Sequence, residues 1–185
     1  MLLVRGAVSA HQLFDAPGWI AVLAGASLAA ICLTVFGRRA SRRFTGRDRT
    51  REVALVVALP LVLVFSVYSL GWLSHANAKT PQISARWHEL HPALRLAVGT
   101  ARLADADVVV TDIGRHRSDY ARMGLRPLNR SPHYVQEDGW VHAVDLRTRG
   151  RGLVRNALAR AWFAAMGFDT LRHTGTGDHL HVALP

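Results

Sequence analysis

The sequence predicts an α+β protein, in which a hairpin of two apolar helices precedes a small domain with an antiparallel sheet. Residues 16–37 and 53–74 are each 22 residues long and carry no charged side chain. A helix needs about 20 apolar residues to cross a bilayer core. Beyond residue 76, short β-branched runs and amphipathic stretches follow one another without regular alternation, a pattern that favours the α+β class.

Length and composition exclude several protein classes. The chain has 185 residues, enough for one or two domains. Half of the residues are hydrophobic and 19% are charged, which excludes a disordered charged tail. A single Cys excludes an internal disulfide framework and a Cys-based zinc ribbon.

The net charge of +10 is unevenly distributed along the chain. Residues 38–52 carry seven Arg against Asp48 and Glu52, which is half of the total. Basic residues between membrane helices mark the cytoplasmic side. The Arg-rich segment is therefore interpreted as a topology signal for a lipid bilayer, and nucleic acid is not an expected partner.

These patterns divide the chain into a membrane part and an exported part. We expect the cytoplasmic (inner) membrane to hold two helices, with both termini on the periplasmic or extracellular side. The predicted units are two transmembrane helices within 1–76 (about 16–37 and 53–74), a cytoplasmic loop over 38–52, a linker over 77–83 and a domain over 84–185.

Periodicity and turn residues predict the elements of the domain. Ser84 is a plausible N-cap for its first helix. The β-branched run DVVVTDI is typical of a strand. The predicted elements are a helix over 84–104, a strand over 107–113, a loop over 114–139, a strand over 140–147, a helix over 150–166 and a strand over 178–184.

Two of the ten His share one face of the last predicted strand. Because strand side chains alternate, His179 and His181 point to the same face, and Asp178 points to the other in a regular strand. Two such His can bind one metal ion, or one can bind it while the other contacts substrate. A solvent-facing or core-edge pair of His remains the alternative.

Asp145 interrupts an otherwise apolar strand. A buried carboxylate without a partner is costly, and a metal ion or an Arg would remove that cost. Alternation places His142 on the opposite face, whereas His133 in the preceding loop is free to approach Asp145. A hydrogen-bonded structural Asp is the alternative interpretation.

The order of these segments resembles a family of zinc peptidases. VVVTDIGRHRSDY, SPHYVQEDGWVHAVDL and DHLHVAL follow one another within residues 84–185. Together they resemble the family of D-Ala-D-Ala carboxypeptidases, L-alanyl-D-glutamate endolysins and the hedgehog signalling domain. The resemblance implies a Zn²⁺ site with His133, Asp145 and His181 as ligands.

The same resemblance implies catalytic roles. Asp178 would be the general base, His179 would assist near the oxyanion, and Arg117 would steady the substrate, with Arg115 as the alternative. The chain departs from the family where eleven residues, instead of six, separate His133 from Asp145. Asp138 is therefore an alternative ligand, although the S-x-H-Y context favours His133.

The expected function is that of a membrane-anchored zinc peptidase acting on peptidoglycan peptides. An exported domain faces the cell wall, and no competing Gly-rich phosphate loop or G-x-S-x-G motif is present. Two alternatives remain open: a non-catalytic, metal-stabilised domain that binds wall peptides or a partner, and a holin-like membrane protein. The oligomeric state is left open.

Overall fold

The computed structural model describes residues 1–122, 124, 126, 129–175 and 177–185. It has the α+β architecture expected from the sequence, with two long apolar helices and a four-stranded antiparallel sheet. The helices are α1 (Leu2–Phe14), α2 (Gly18–Thr45), α3 (Thr50–Glu52), α4 (Leu59–Gly71), α5 (Pro81–Ala85), α6 (Pro92–Ala104), α7 (Arg117–Arg122) and α8 (Leu153–Ala165). The strands are β1 (Val110–Asp112), β2 (Ala143–Arg147), β3 (Asp169–His173) and β4 (His179–Ala183).

Among the described residues, two helices are long and apolar enough to span a membrane, as predicted. One is α2, and the other runs over Thr50–Gly71, where a π-helical stretch at Val53–Ala58 joins α3 to α4. In their most apolar windows only 22% and 17% of the residues are buried. Most of these apolar side chains therefore point outward, where lipid solvates them better than water does.

The connection between the apolar helices is shorter than expected. The loop was predicted over 38–52, but α2 continues through the first Arg residues to Thr45. It ends at Gly46, whose φ of 69° and N–H bond to Arg42 O form a helix C-cap. Arg side chains suit the last turn of a helix, because they complement its dipole.

Helix α1 packs on α2 through an unpredicted close contact. Leu3, Val4, Ala7 and Val8 form its buried face. At Gly25 of α2 an added Cβ would lie 2.2 Å from the carbonyl oxygen of Leu3, so the two backbones approach as closely as glycine allows.

The segment expected as a linker is folded onto the domain. Asn77 is buried, and its Nδ2 donates to the carbonyl oxygens of Ala106 (2.9 Å) and Val108 (2.8 Å). The N–H of Lys79 donates to Val110 O at 2.8 Å. The domain therefore begins immediately after the second apolar helix.

The predicted helix over 84–104 begins later than expected. Residues 86–89 form a 3-10 turn and α6 starts at Pro92, with His91 rather than Ser84 as its N-cap. Proline lacks an N–H and disfavours helical geometry in the preceding residue, which explains the break. Ser84 Oγ instead donates to the carbonyl of Pro81 at 2.9 Å.

The sheet has the strand order β1-β2-β4-β3, and every neighbouring pair is antiparallel. Strand β3 was not predicted, and α7 lies within the predicted loop 114–139. Leu146 and Leu180 are opposite each other on β2 and β4 and are buried with Phe163 of α8 in the core. Because side chains alternate, the flanking residues of both strands project from the other face of the sheet.

Candidate metal centre

The register of β2 and β4 brings Asp145 and His181 together. These residues lie directly opposite each other in the antiparallel pair, where Cβ atoms are about 4.5–5.5 Å apart. His181 Nδ1 lies 2.9 Å from Asp145 Oδ1. Both side chains project from the sheet face opposite the core residues Leu146 and Leu180.

His133 reaches this pair from the loop before β2. Its Nδ1 donates to the carbonyl oxygen of Ile113 at 2.6 Å, so that Nε2 carries the lone pair. Nε2 lies 3.1 Å from His181 Nδ1 and 3.3 Å from Asp145 Oδ1. A ring N–H bonded to a backbone carbonyl is the usual second contact of a metal-binding His, because it orients the ring.

The three facing atoms lie close enough together to bind one metal ion. The sides of the triangle formed by His133 Nε2, His181 Nδ1 and Asp145 Oδ1 measure 2.9, 3.1 and 3.3 Å. Ligands at zinc distances of about 2.0–2.2 Å in a tetrahedron are about 3.3 Å apart. The predicted ligand residues therefore form a cluster that can hold a metal ion.

The electrostatics of the cluster are set by Asp145, whose residue surface is only 2% exposed. Burial raises the pKa of Asp145, but its contacts with His133 and His181 outweigh burial and hold the pKa well below its ordinary value. The carboxylate is therefore ionised at neutral pH. A buried negative charge beside two imidazoles is a suitable environment for a divalent cation.

Arg115 holds the outer oxygen of Asp145. Its Nη2 donates to Asp145 Oδ2 at 2.6 Å, and its Nε bonds to Asp112. This leaves Asp145 Oδ1 to face the two His. Arg115 is thus the Arg that the structure places in the cluster, whereas the side chain of Arg117 lies outside the described part of the structure.

His179 lies at the edge of the cluster, together with a His that sequence reasoning missed. His179 Nε2 is 3.5 Å from Asp145 Oδ2. Its ring stacks on that of His173, with centroids 4.7 Å apart. His173 is the β3 residue opposite His179. Only a prediction of strand β3 from the sequence would have placed His173 next to His179.

Asp178 is held away from the three ligand atoms. Its carboxylate accepts a hydrogen bond from Thr148 Oγ1 at 2.5 Å and forms an ion pair with Arg172 at 3.1 Å. Arg172 precedes His173 on β3 and therefore projects to the opposite face of the sheet, and Thr148 is the first residue after β2. The general-base role of Asp178 stays a prediction.

Asp138, the alternative first ligand, belongs to a different cluster. Its Oδ2 accepts a hydrogen bond from His142 Nε2 at 2.8 Å. The extra residues between His133 and Asp145 form a turn, in which Gly139 has a φ of 83° and its N–H donates to Gln136 O. The additional residues are therefore accommodated in this turn, and His133 still lies in the cluster with Asp145.

The arrangement suits metal-assisted chemistry at an open edge. Two His and one Asp supply three ligand atoms, and the side chains of His179 and His181 remain 24% and 18% exposed. A catalytic zinc site has three protein ligands and a fourth position for water or substrate. No protein-family model matches the chain, and no curated protein or solved structure is significantly similar to it.

Proposed function

We propose that the chain is a membrane-anchored zinc peptidase that hydrolyses peptidoglycan stem peptides on the outer side of the cytoplasmic membrane. The observation that carries the proposal is the triangle of His133 Nε2, His181 Nδ1 and Asp145 Oδ1, with sides of 2.9 to 3.3 Å. Two His and one carboxylate with an open fourth position are the ligand set of hydrolytic zinc sites.

Each residue of the centre has an assigned role. His133, Asp145 and His181 hold zinc, which when bound supplies a Lewis acid that polarises a carbonyl and acidifies water. Arg115 keeps Asp145 oriented by engaging its second oxygen. His179, at the exposed edge, faces the negative charge that develops on the substrate carbonyl.

Asp178 is assigned as the general base. A carboxylate accepts the proton of the attacking water and passes it to the leaving amine. This role requires Asp178 to exchange its contacts with Arg172 and Thr148 for one with the attacking water when substrate binds. If Asp178 keeps both contacts, the domain is a non-catalytic, metal-stabilised binding module.

Location supports a cell-wall substrate. Two apolar helices flank an Arg-rich segment, which favours the cytoplasm for that segment and the outer side for the domain. Residues 77–185 carry fifteen basic and ten acidic side chains. A net positive surface suits an anionic polymer such as the wall.

The test compares zinc content and peptide hydrolysis in the full chain purified in detergent. We expect His181→Ala to lose one equivalent of zinc and to reduce hydrolysis of synthetic stem peptides at least 100-fold, since a ligand is removed. His75→Ala is the matched control, because His75 is exposed and does not belong to the cluster of ligand residues. Zinc bound at this site without hydrolysis of any stem peptide would contradict the peptidase function and support the binding module.

A further inference from the structure

A second cluster of three His lies outside the candidate peptidase centre. His11 comes from α1, His91 caps α6, and His142 immediately precedes β2. One ring nitrogen of each lies within 4.8 Å of the others, and the ring centroids are 4.9 to 5.6 Å apart. We propose that His11, His91 and His142 form a second zinc site that fastens the N-terminal helix to the C-terminal domain.

The rings of His11 and His142 have the outer contacts that metal-binding His need. His11 Nδ1 donates to the carbonyl oxygen of Ala16 at 3.1 Å, which leaves the lone pair on Nε2. His142 Nε2 donates to Asp138 Oδ2 at 2.8 Å, which leaves the lone pair on Nδ1. Bonds from the distal ring nitrogen to a carbonyl or carboxylate orient a ligand and raise its basicity.

His91 supplies the independent observation that points to a ligand. It has no exposed surface, and its Nε2 is a buried nitrogen without a hydrogen-bond partner among the described residues. Asp138 Oδ2, at 4.0 Å, is beyond hydrogen-bond distance. A buried polar atom in that state is costly, and a ligand in the cluster would remove the cost.

Metal binding through His91 Nε2 would replace the hydrogen bond that His91 Nδ1 makes in the metal-free protein. His91 Nδ1 accepts a hydrogen bond from the Ala93 N–H at 3.2 Å, so in the metal-free protein the ring proton is on Nε2. Metal binding moves that proton to Nδ1 and gives up the Ala93 bond. The Nδ1–H and the Ala93 N–H then face each other as two donors, a cost that the coordination of zinc by three imidazoles has to outweigh.

The charges around the cluster act on a bound cation in opposite directions. The positive charge of Arg95 opposes a cation, whereas the carboxylate of Asp138 favours one. Three imidazole nitrogens select zinc-like ions over Mg²⁺ and Ca²⁺, which prefer oxygen.

Chain topology allows the two ends to meet. Helix α1 precedes the first apolar helix and the domain follows the second, so a two-helix hairpin leaves both on the same side of a membrane. His142 lies just before β2, and none of the three His of this cluster belongs to the group formed by His133, Asp145 and His181. The second site is therefore separate from the candidate peptidase centre, and occupying it would clamp α1 against α6 and β2.

The test counts zinc ions in the full chain in detergent, after removal of metal with a chelator and reloading with Zn²⁺. We expect two ions per chain in the wild type and in His75→Ala. His11→Ala and His142→Ala should bind one, His181→Ala should bind one, and His11→Ala combined with His181→Ala should bind none. Unchanged zinc content in His11→Ala would overturn the second site.

The zinc counts separate this site from the proposed function. If the peptidase centre binds no zinc, the wild type holds one ion that His11→Ala removes and His181→Ala retains. A misfolded α1 is excluded by His11→Cys loaded with Co²⁺, which we expect to gain a thiolate-to-cobalt charge-transfer band. The wild type, which has only Cys32, should lack that band. A properly folded His11→Cys protein without the band would overturn the proposal.

Discussion

Both oxygens of Asp145 are engaged at the candidate centre. Oδ1 faces His133 and His181, and Oδ2 accepts from Arg115. The contacts with these side chains outweigh the cost of burial, so the carboxylate stays ionised inside the protein. Removing Asp145 would leave His181 Nδ1 and Arg115 Nη2 without this acceptor. Its loss therefore affects stability as well as metal binding.

The general-base role of the single residue Asp178 can be tested separately from metal binding by the three ligand residues. We expect Asp178→Asn to lower kcat/KM about 100- to 10,000-fold without loss of zinc, because a general base is removed and no ligand is changed. The measurement pairs hydrolysis of stem peptides with zinc content. Full turnover in Asp178→Asn would restrict the residue to its structural contacts with Arg172 and Thr148.

The pH profile gives an independent prediction at Asp178. The hydrogen bond from Arg172, followed by that from Thr148, holds the pKa of Asp178 below its ordinary value. Because a base works only when ionised, activity should be lost as pH falls through that pKa. Arg172→Ala raises the pKa and should move the acid limb of kcat/KM to higher pH. If the acid limb of kcat/KM stays at the same pH in Arg172→Ala, the limb reports the titration of a group other than Asp178.

At the scale of elements, the β2–β4 register decides whether the centre exists. Asp145 is opposite His181, and Leu146 is opposite Leu180. A slip of one residue would exchange the buried leucines for the polar pair, because strand side chains alternate. The core that pins the register therefore also positions the ligands.

The contact between α1 and α2 gives a prediction for helix packing. Gly25→Ala should destabilise this contact by about 1–3 kcal/mol, since overpacking forces backbone shifts. An added Cβ would lie 2.2 Å from Leu3 O and 2.7 Å from the Ala7 N. Hydrogen exchange of the α1 amides in detergent measures the effect.

Gly71→Ala is the control for this substitution. Gly71 also lies in an apolar helix, and no atom of the described residues lies within 4 Å of its added Cβ. We expect its α1 exchange rates to match the wild type. If the α1 amides of Gly25→Ala exchange as slowly as those of the wild type, the packing described for α1 is contradicted.

At the scale of the whole molecule, the domain is built onto the second apolar helix. Arg102 of α6 donates to Asn77 Oδ1 at 3.0 Å, to Tyr68 Oη at 3.3 Å and to the Trp72 carbonyl at 3.4 Å. Arg95 of the same helix lies 5.2 Å from the ring centroid of Trp19. These contacts tie α6 to both apolar helices, so the domain is held against the hairpin.

Topology is testable with single cysteines in a Cys32→Ala background. Because basic segments stay in the cytoplasm, Arg47→Cys should react with an impermeant maleimide only after cells are permeabilised. Arg149→Cys, in an exposed turn of the domain, should react in intact cells. The reverse labelling pattern would place the domain in the cytoplasm and exclude access to the wall.

Several elements were predictable because their signals are local. The two uncharged segments predicted the apolar helices, and β1, β2 and β4 lie within the three predicted strands. Strand alternation also placed His179 and His181 on one face. By contrast, β3 reads DTLRH, whose only β-branched residue is Thr170, and Pro92 interrupts the predicted helix over 84–104.

The sequence by itself determined the apolar helices, the uneven charge and the residue types of the candidate centre, because these depend on composition and short-range periodicity. Only the tertiary structure decided which side chains meet. Strand register places Asp145 beside His181, and a carbonyl contact turns His133 toward them. His11 and His91 are eighty positions apart, and no local pattern relates them. They meet because the helices fold back onto the domain, and long-range packing alone sets that contact.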